Sequence, residues 1–165
     1  MRVTARVDYA VRAMAELAAA EPGRPVKAER LAAAQGVPPR FLENLMGALR
    51  HGGLVVSQRG ADGGYALARP ASAIVLADVI QVIEGPIADV RGVDPSLLTY
   101  GGAAASLADV WDRVRTEIVE LLSSITLADI AAGGAAGPPL AAGTVTAEAG
   151  AARSARVRAE SGAAR

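Results

Sequence analysis

Apolar side chains recur at intervals of three and four residues along most of the first 130 positions, which predicts a mainly helical chain. The first helix begins after Thr4, whose hydroxyl suits an N-cap, and the turn from Gly23 to Pro25 ends it. A later helix stops at Gly85. The apolar stripes of these two helices are Val7, Val11, Met14 and Leu17 in the first, and Leu76, Val79, Ile80 and Ile83 in the second.

Residues 26–50 show the pattern of a helix-turn-helix. A short helix leads to Gly36, which supplies a sharp turn, and the two prolines that follow suit the first turn of a second helix. The apolar stripe of this second helix is Leu42, Leu45, Met46 and Leu49. Arg40, Glu43 and Asn44 lie off the stripe and face outward. Because Arg and Asn pair well with guanine and adenine edges, we interpret this helix as a DNA-recognition helix, against the alternative of an ordinary solvated face.

A glycine-rich hairpin follows the helix-turn-helix. The segments 54–57 and 65–68 have strand character, and glycines between them allow the positive φ angles that a tight turn requires. Arg59 stands at the exposed edge of this hairpin. We therefore predict a β-wing that probes DNA, and we expect residues 74–76 to complete its small sheet.

The last strongly patterned segment predicts a long helix over residues 106–130, opened by Ser106 with Asp109 in a capping-box position. Its apolar stripe is wider than a small winged domain can cover, which favours a homodimer interface over packing within the chain alone. The candidate interface residues are Trp111, Val114, Ile118, Leu121, Leu122 and Ile125.

These elements predict a mainly α fold with a small β-wing, in which a winged helix-turn-helix domain is joined to a long C-terminal dimerisation helix. The domain is expected over residues 1–86, a loop over 87–105 and the dimerisation helix over 106–130. Residues 131–165 have few large apolar side chains, so we predict that this tail is disordered.

Charge and composition narrow the function. The formal net charge is zero, but residues 1–70 carry ten basic and six acidic side chains, whereas residues 71–132 carry three and nine. A basic N-terminal part indicates a polyanionic partner, here double-stranded DNA. No signal peptide or membrane span is evident, so we expect a cytoplasmic protein without a membrane partner. No catalytic motif is recognisable, and we do not expect an enzyme.

The order and spacing of several motifs resemble the Rrf-two (Rrf2) family of bacterial winged helix-turn-helix regulators over about residues 1–130. The motifs are Asp8-Tyr-Ala-Val-Arg-Ala13, Gln35-Gly-Val-Pro-Pro-Arg-Phe-Leu-Glu-Asn-Leu45, Leu49-Arg-His-Gly-Gly-Leu54, Arg59-Gly-Ala-Asp-Gly-Gly-Tyr-Ala-Leu-Ala-Arg-Pro70, Ile83-Glu-Gly-Pro86 and Thr126-Leu-Ala-Asp129. The resemblance implies a homodimer on a partly palindromic operator, with the recognition helix in the major groove and the wing in the minor groove. It assigns Arg40, Glu43 and Asn44 to base-facing positions, Arg59 to the wing contact, and a phosphate contact to Lys27.

One departure from the family concerns cofactors. Many members hold an iron–sulfur cluster on three cysteines between the Glu-Gly-Pro turn and the long helix, but this sequence contains no cysteine. A thiolate-ligated cluster is therefore excluded, no cofactor is expected, and Asp8 is interpreted as a helix-dipole partner. Any effector would be an unidentified metabolite or protein, and we expect a pocket for it between the long helix and the loop, near Tyr100 and Trp111.

Two functions remain open on these grounds. The first is a sequence-specific transcriptional regulator, with repression as the expected mode. The alternative is an adaptor whose winged domain regulates through protein–protein contact, for instance with a metabolic enzyme. Outward-facing basic and amide side chains on the recognition helix favour the regulator.

Overall fold

A computed structural model describes residues 3–60 and 62–133 of the protein. The elements are α1 (Ala5–Ala19), α2 (Ala28–Gln35), α3 (Pro39–His51), β1 (Val55–Gln58), β2 (Gly64–Leu67), α4 (Leu76–Glu84), α5 (Leu107–Ser123) and α6 (Leu127–Ala131). Short 3₁₀ turns lie at 71–73, 95–97 and 102–104. The predicted class, mainly helical with a small antiparallel wing, is confirmed. Beyond residue 133, the predicted tail lies outside the described residues.

Helix α1 occupies the centre of the fold. The Thr4 hydroxyl accepts a hydrogen bond from the Val7 amide at 3.3 Å, as expected of an N-cap, and Asp8 lies in the first turn. The buried face of α1 contacts α2, α3, α4, α6 and β2. It consists of Val7, Ala10, Ala13, Met14 and Leu17. Two of these five are alanines, which let neighbouring helices approach closely.

The turn between α2 and α3 depends on one glycine. Gly36 adopts a left-handed conformation with φ of 62°, and its amide bonds to the Ala32 carbonyl to close α2. Helix α3 then begins with Pro39 at its first position, where a missing N–H costs nothing. The predicted helix-turn-helix is thus present with the predicted turn residues.

The third segment of the wing sheet is not residues 74–76, as predicted, but comes from another part of the chain. β1 and β2 pair antiparallel, with Val55 opposite Leu67 and Gln58 opposite Gly64. Val26 then pairs with Tyr65 on the free edge of β2, through two backbone hydrogen bonds of 2.8 and 2.9 Å. The expectation that residues 74–76 complete this sheet was wrong.

Residues 74–76 are extended but pair with a different segment of the chain. Val75 forms a bridge with Thr126, flanked by hydrogen bonds from the Leu76 amide to the Ile125 carbonyl and from the Leu127 amide to the Ile74 carbonyl. This pairing ties the start of α4 to the start of α6. It also explains why the last helical segment is broken, because residues 124–126 must leave the helix to pair.

The predicted helix over residues 106–130 is therefore two helices. α5 ends at Ser123, and α6 begins after Thr126. Ser106 makes no side-chain cap bond, whereas Thr126 and Asp129 form a complete capping box. Hydrogen bonds from the Thr126 hydroxyl and amide hold the pKa of Asp129 below its ordinary value. The capping box therefore lies at the start of α6, whereas it was expected at the start of α5.

One hydrophobic core unites these elements. Leu122 of α5 and Leu127 of α6 are buried in the same cluster as the apolar face of α1. The core therefore extends past the boundary that was predicted at residue 86. Over the described residues, no helix is both long enough and apolar enough to cross a membrane.

The close approach of the wing to residue 26 gives a stability prediction. A Cβ at Gly64 would lie 2.5 Å from the Val26 carbonyl oxygen, which is backbone and cannot move aside. We expect Gly64→Ala to lower the free energy of unfolding by about 2–3 kcal/mol, measured by urea denaturation. Gly47→Ala is the control, because a Cβ there meets open space within α3 and should stabilise by about 0.5–1 kcal/mol. Equal effects of the two substitutions would contradict the steric argument.

Candidate nucleic-acid interface

Helix α3 is held by one face and presents the other to solvent. Leu42, Leu45, Met46 and Leu49 are at most 2% exposed and anchor the helix in the core. Arg40, Glu43 and Asn44 are all exposed. A rigid helix with its polar side chains free has the shape and chemistry to enter a major groove.

Arg59 directly follows β1, on the opposite side of the hairpin turn from β2. Arg59 is exposed, and the Gly63 amide donates to the Gly60 carbonyl at 3.0 Å to close the turn. A side chain at Gly63 would collide with the Gln58 carbonyl at 2.4 Å, so the turn requires glycine there. The predicted wing residue therefore stands on a tightly constrained hairpin.

Lys27 lies beside the wing, at the N-cap of α2. Its side chain is exposed and makes no capping hydrogen bond. The preceding residue, Val26, is the one that pairs with Tyr65 of β2. No local pattern in the sequence connects Lys27 with Arg59, but the backbone bridge brings the start of α2 and the wing together.

Arg12 joins α1 to the end of α2 through its guanidinium group. Its Nε donates to the Gln35 side-chain oxygen at 2.9 Å, and its Nη2 donates to the Gln35 backbone carbonyl. Its Nη1 bonds to Asp8 at 3.1 Å, and Gln35 in turn donates to Glu16. The network fixes the residue that immediately precedes the Gly36 turn.

An aromatic contact continues this network to α3. The Arg12 guanidinium lies 5.3 Å from the centre of the Tyr9 ring, and Tyr9 meets Phe41 of α3 edge to face at 5.7 Å. Sequence reasoning missed these roles, although the residues belong to the quoted motifs. Arg12 and Gln35 are 23 positions apart, and Tyr9 and Phe41 are 32 apart. No local spacing in the sequence therefore indicates these contacts.

The apolar stripe of α5 divides between two environments. Leu122 is buried in the chain's own core, and Ile118 packs partly against it. Ile125 lies beyond the helix end. The exposed apolar residues are Val110 at 49%, Trp111 at 37%, Val114 at 39% and Leu121 at 38%. The face that lacks a partner within the described residues is therefore narrower than the periodicity predicts.

A cavity of about 400 Å³ lies between α4, the following loop and α5. Gln81, Asp89 and Arg115 are among its lining residues, but Tyr100 and Trp111 are not. At its edge, Asp94 accepts hydrogen bonds from the Ser96 hydroxyl and amide and pairs with Arg115 at 3.3 Å. These contacts, the Ser96 hydroxyl first, hold the pKa of Asp94 below its ordinary value.

A family model described as "Iron-dependent Transcriptional regulator", that of Rrf2, matches residues 3–133. The chain belongs to the Rrf2 family. A Mycobacterium tuberculosis H37Rv protein, Rv1287, whose name assigns it to the HTH-type transcriptional regulators, is 48% identical over 133 residues, which cover 81% of this chain and 83% of that one. The regulator CymR of Bacillus subtilis is 34% identical over 79% of this chain and 90% of its own.

Solved structures of Rrf2 proteins share the fold. CymR, the global cysteine regulator of B. subtilis, superposes with a TM-score of 0.69 over 81% of this chain and 98% of that one, at 34% identity. IscR of T. potens superposes with a TM-score of 0.65 over 81% and 88% of the two chains, at 37% identity. These relatives are transcriptional regulators rather than enzymes.

The residues of this Rrf2 protein do not fit a thiolate-ligated iron–sulfur cluster. The loop between α4 and α5 contains no cysteine, and Asp94, one of its two carboxylates, is already engaged by Ser96 and Arg115. Within residues 3–60 and 62–133, no three His, Cys, Asp or Glu side chains come together as metal ligands do. The described residues thus provide no donor set that matches the iron dependence in the family description.

Removal of the Arg12 guanidinium should loosen the turn before α3. We expect Arg12→Ala to lower the free energy of unfolding by about 1–3 kcal/mol, because the Gln35 side chain and carbonyl lose charge-assisted donors. Chemical denaturation measures this change. Arg113→Ala removes an exposed arginine that, among the described residues, pairs with Glu117 alone, and should change stability by less than about 0.5 kcal/mol. A loss of similar size in both variants would show that Arg12 has no special role.

Proposed function

We propose that this Rrf2 protein is a sequence-specific DNA-binding repressor of transcription, which acts as a cytoplasmic homodimer on a partly palindromic operator. The observation that carries the proposal is the exposure of Arg40, Glu43 and Asn44 on α3, with Arg59 on an adjoining wing. Both elements are anchored to one core. Side chains on such rigid supports hold the geometry that base recognition requires.

The chemistry of these residues divides between the two grooves. On α3, arginine suits the acceptor edge of guanine, asparagine suits adenine and glutamate accepts from cytosine, all in the major groove. On the wing, Arg59 is a single cation on a narrow glycine hairpin, which suits the narrow and electronegative minor groove of A·T-rich DNA. Lys27 is assigned a phosphate contact.

Dimerisation is supported by the exposed apolar face of α5. Val110, Trp111 and Val114 are each more than a third exposed, and leaving such side chains in water is costly. A second copy provides a self-complementary surface, and a twofold axis would place two α3 helices on half-sites of a palindrome. The dimer also doubles the phosphate contacts of a reading domain whose excess positive charge is small.

Repression requires only that the dimer occupies its operator, because a bound protein blocks access of polymerase to an overlapping promoter. The cavity lined by Gln81, Asp89 and Arg115 lies between α4 and α5, where an effector would act on both the core and the dimer face. We assign the effector no identity.

A gel-shift titration with DNA from upstream of the protein's own gene tests the proposal. The expected result is a discrete complex that survives excess competitor DNA over a series of salt concentrations. A diffuse shift that competitor or salt abolishes would contradict specific recognition. In that case the adaptor alternative would gain support, and capture of a partner protein that resists salt would be its signature.

The wing assignment predicts a loss of specific affinity. We expect Arg59→Ala to weaken operator binding by about 1–3 kcal/mol, with the greatest loss at A·T-rich flanks, because one minor-groove contact disappears. Fluorescence anisotropy at fixed salt measures the change. Arg113→Ala, on the exposed side of α5, removes the same charge and serves as the control. Unchanged affinity of the Arg59 variant would exclude the wing contact.

The dimer assignment predicts a change in mass. We expect Val110→Asp combined with Val114→Asp to yield monomers in light scattering, because two carboxylates would be desolvated in the interface. Both positions are exposed within one chain, so the fold should persist. Val56→Asp, at a 52% exposed position of β1, is the matched control and should stay dimeric. A dimer that survives the double substitution would place the interface elsewhere.

A further inference from the structure

A cleft of about 630 Å³ opens between the connector that follows α1 and the wing hairpin. One wall is formed by residues 21–27 and the first turn of α2, and the other by Gln58, Asp62 and Gly63 of the wing. The two walls are joined at their base by the backbone bridge between Val26 and Tyr65, which fixes their separation. The geometry of the cleft is therefore set by the fold, and the cleft lies next to the surface of α3 and the wing that is proposed to contact DNA.

Three cations line this cleft: Arg24, Lys27 and Arg30. Arg24 pairs with Glu21 at 3.5 Å, but both side chains are more than 70% exposed, so this pair is weak. Lys27 and Arg30 form no ion pair with any residue that the structure describes. The opposing carboxylates are Glu21 and Asp62, so the cations are in excess.

The placement of Lys27 and Arg30 is unfavourable unless an anion joins them. Lys27 is the N-cap of α2 and Arg30 lies in its first turn, and both line the same cleft. Like charges that line the same cleft repel each other. An anion between them removes the repulsion and gains from both charges.

Groove geometry indicates which anion. A minor groove is only about 6 Å wide and is bounded by two phosphate backbones, so a wing inserted there has a backbone on each flank. One flank of this wing is the wall of the cationic cleft. A backbone strand that follows the groove edge would therefore pass into the cleft.

We propose that this cleft is a phosphate-binding site for the DNA backbone, in which Arg24 and Arg30 act together with Lys27. The proposal rests on the DNA-binding function above and extends it to two arginines without an assigned role. The contacts neutralise phosphate charge and carry no sequence information, so they set affinity and register rather than specificity. They also concentrate the modest positive charge of residues 1–70 at one position beside the wing.

Salt-dependent titrations test the site. The logarithm of the binding constant is measured against the logarithm of salt concentration, for the operator and for an unrelated duplex of equal length. We expect Arg24→Ala and Arg30→Ala each to reduce the slope by about 1.8, because each lost phosphate contact lowers it by about 0.9 and the dimer loses one contact in each protomer. Both should weaken binding to the two duplexes by the same factor, and Arg30→Lys should restore the slope.

Controls separate this site from a general charge effect and from the proposed function. Arg113→Ala removes an exposed arginine from α5 and should leave the slope unchanged. Unchanged slopes in both cleft variants would overturn the proposal, and so would a loss confined to the operator. Because the slope is also read on the unrelated duplex, the cleft is tested even if wild-type protein shows no operator preference. That lack of preference would count against specific recognition alone.

Discussion

The burial of one face of α1 is the constraint on which the rest of the structure depends. Ala10 and Ala13 are almost completely buried, and their small side chains allow α1 to contact five other elements at once. Helix α3, strand β2 of the wing and helix α6 are positioned through this common neighbour. The polar side of α1 contributes as well, because Arg12 holds the residue before the Gly36 turn. The packing of the core and the placement of α3 thus both depend on α1.

Local pattern predicted the elements of this fold well, because their signals lie within a few residues of each other. Apolar residues at intervals of three and four indicated the helices. Gly36 and the following prolines indicated the helix-turn-helix, and glycines indicated the hairpin. What the pattern could not supply was the partner of each extended segment. Val26 and residues 74–76 have similar extended character, yet the first joins the wing and the second joins Thr126. That second pairing interrupts a helix whose apolar periodicity continues across the break.

The candidate site was predictable to a similar degree. Outward positions on α3 followed from the apolar stripe, and Arg59 followed from its place in the hairpin. The roles of Arg12 and Gln35 did not, because their contact joins residues 23 positions apart. Nor could a stripe distinguish a surface that faces a second copy from one that faces the chain's own core. Leu122 and Leu121 are adjacent in sequence, but only Leu121 is left exposed.

The closure of α6 onto α1 has a consequence for protein synthesis. Leu127 is fully buried, and the Val75–Thr126 bridge draws the end of the described chain back to its middle. Helix α1 therefore lacks one of its packing partners, α6, until almost 130 residues have left the ribosome. Translation products that stop before that point leave in water the part of α1 that α6 covers.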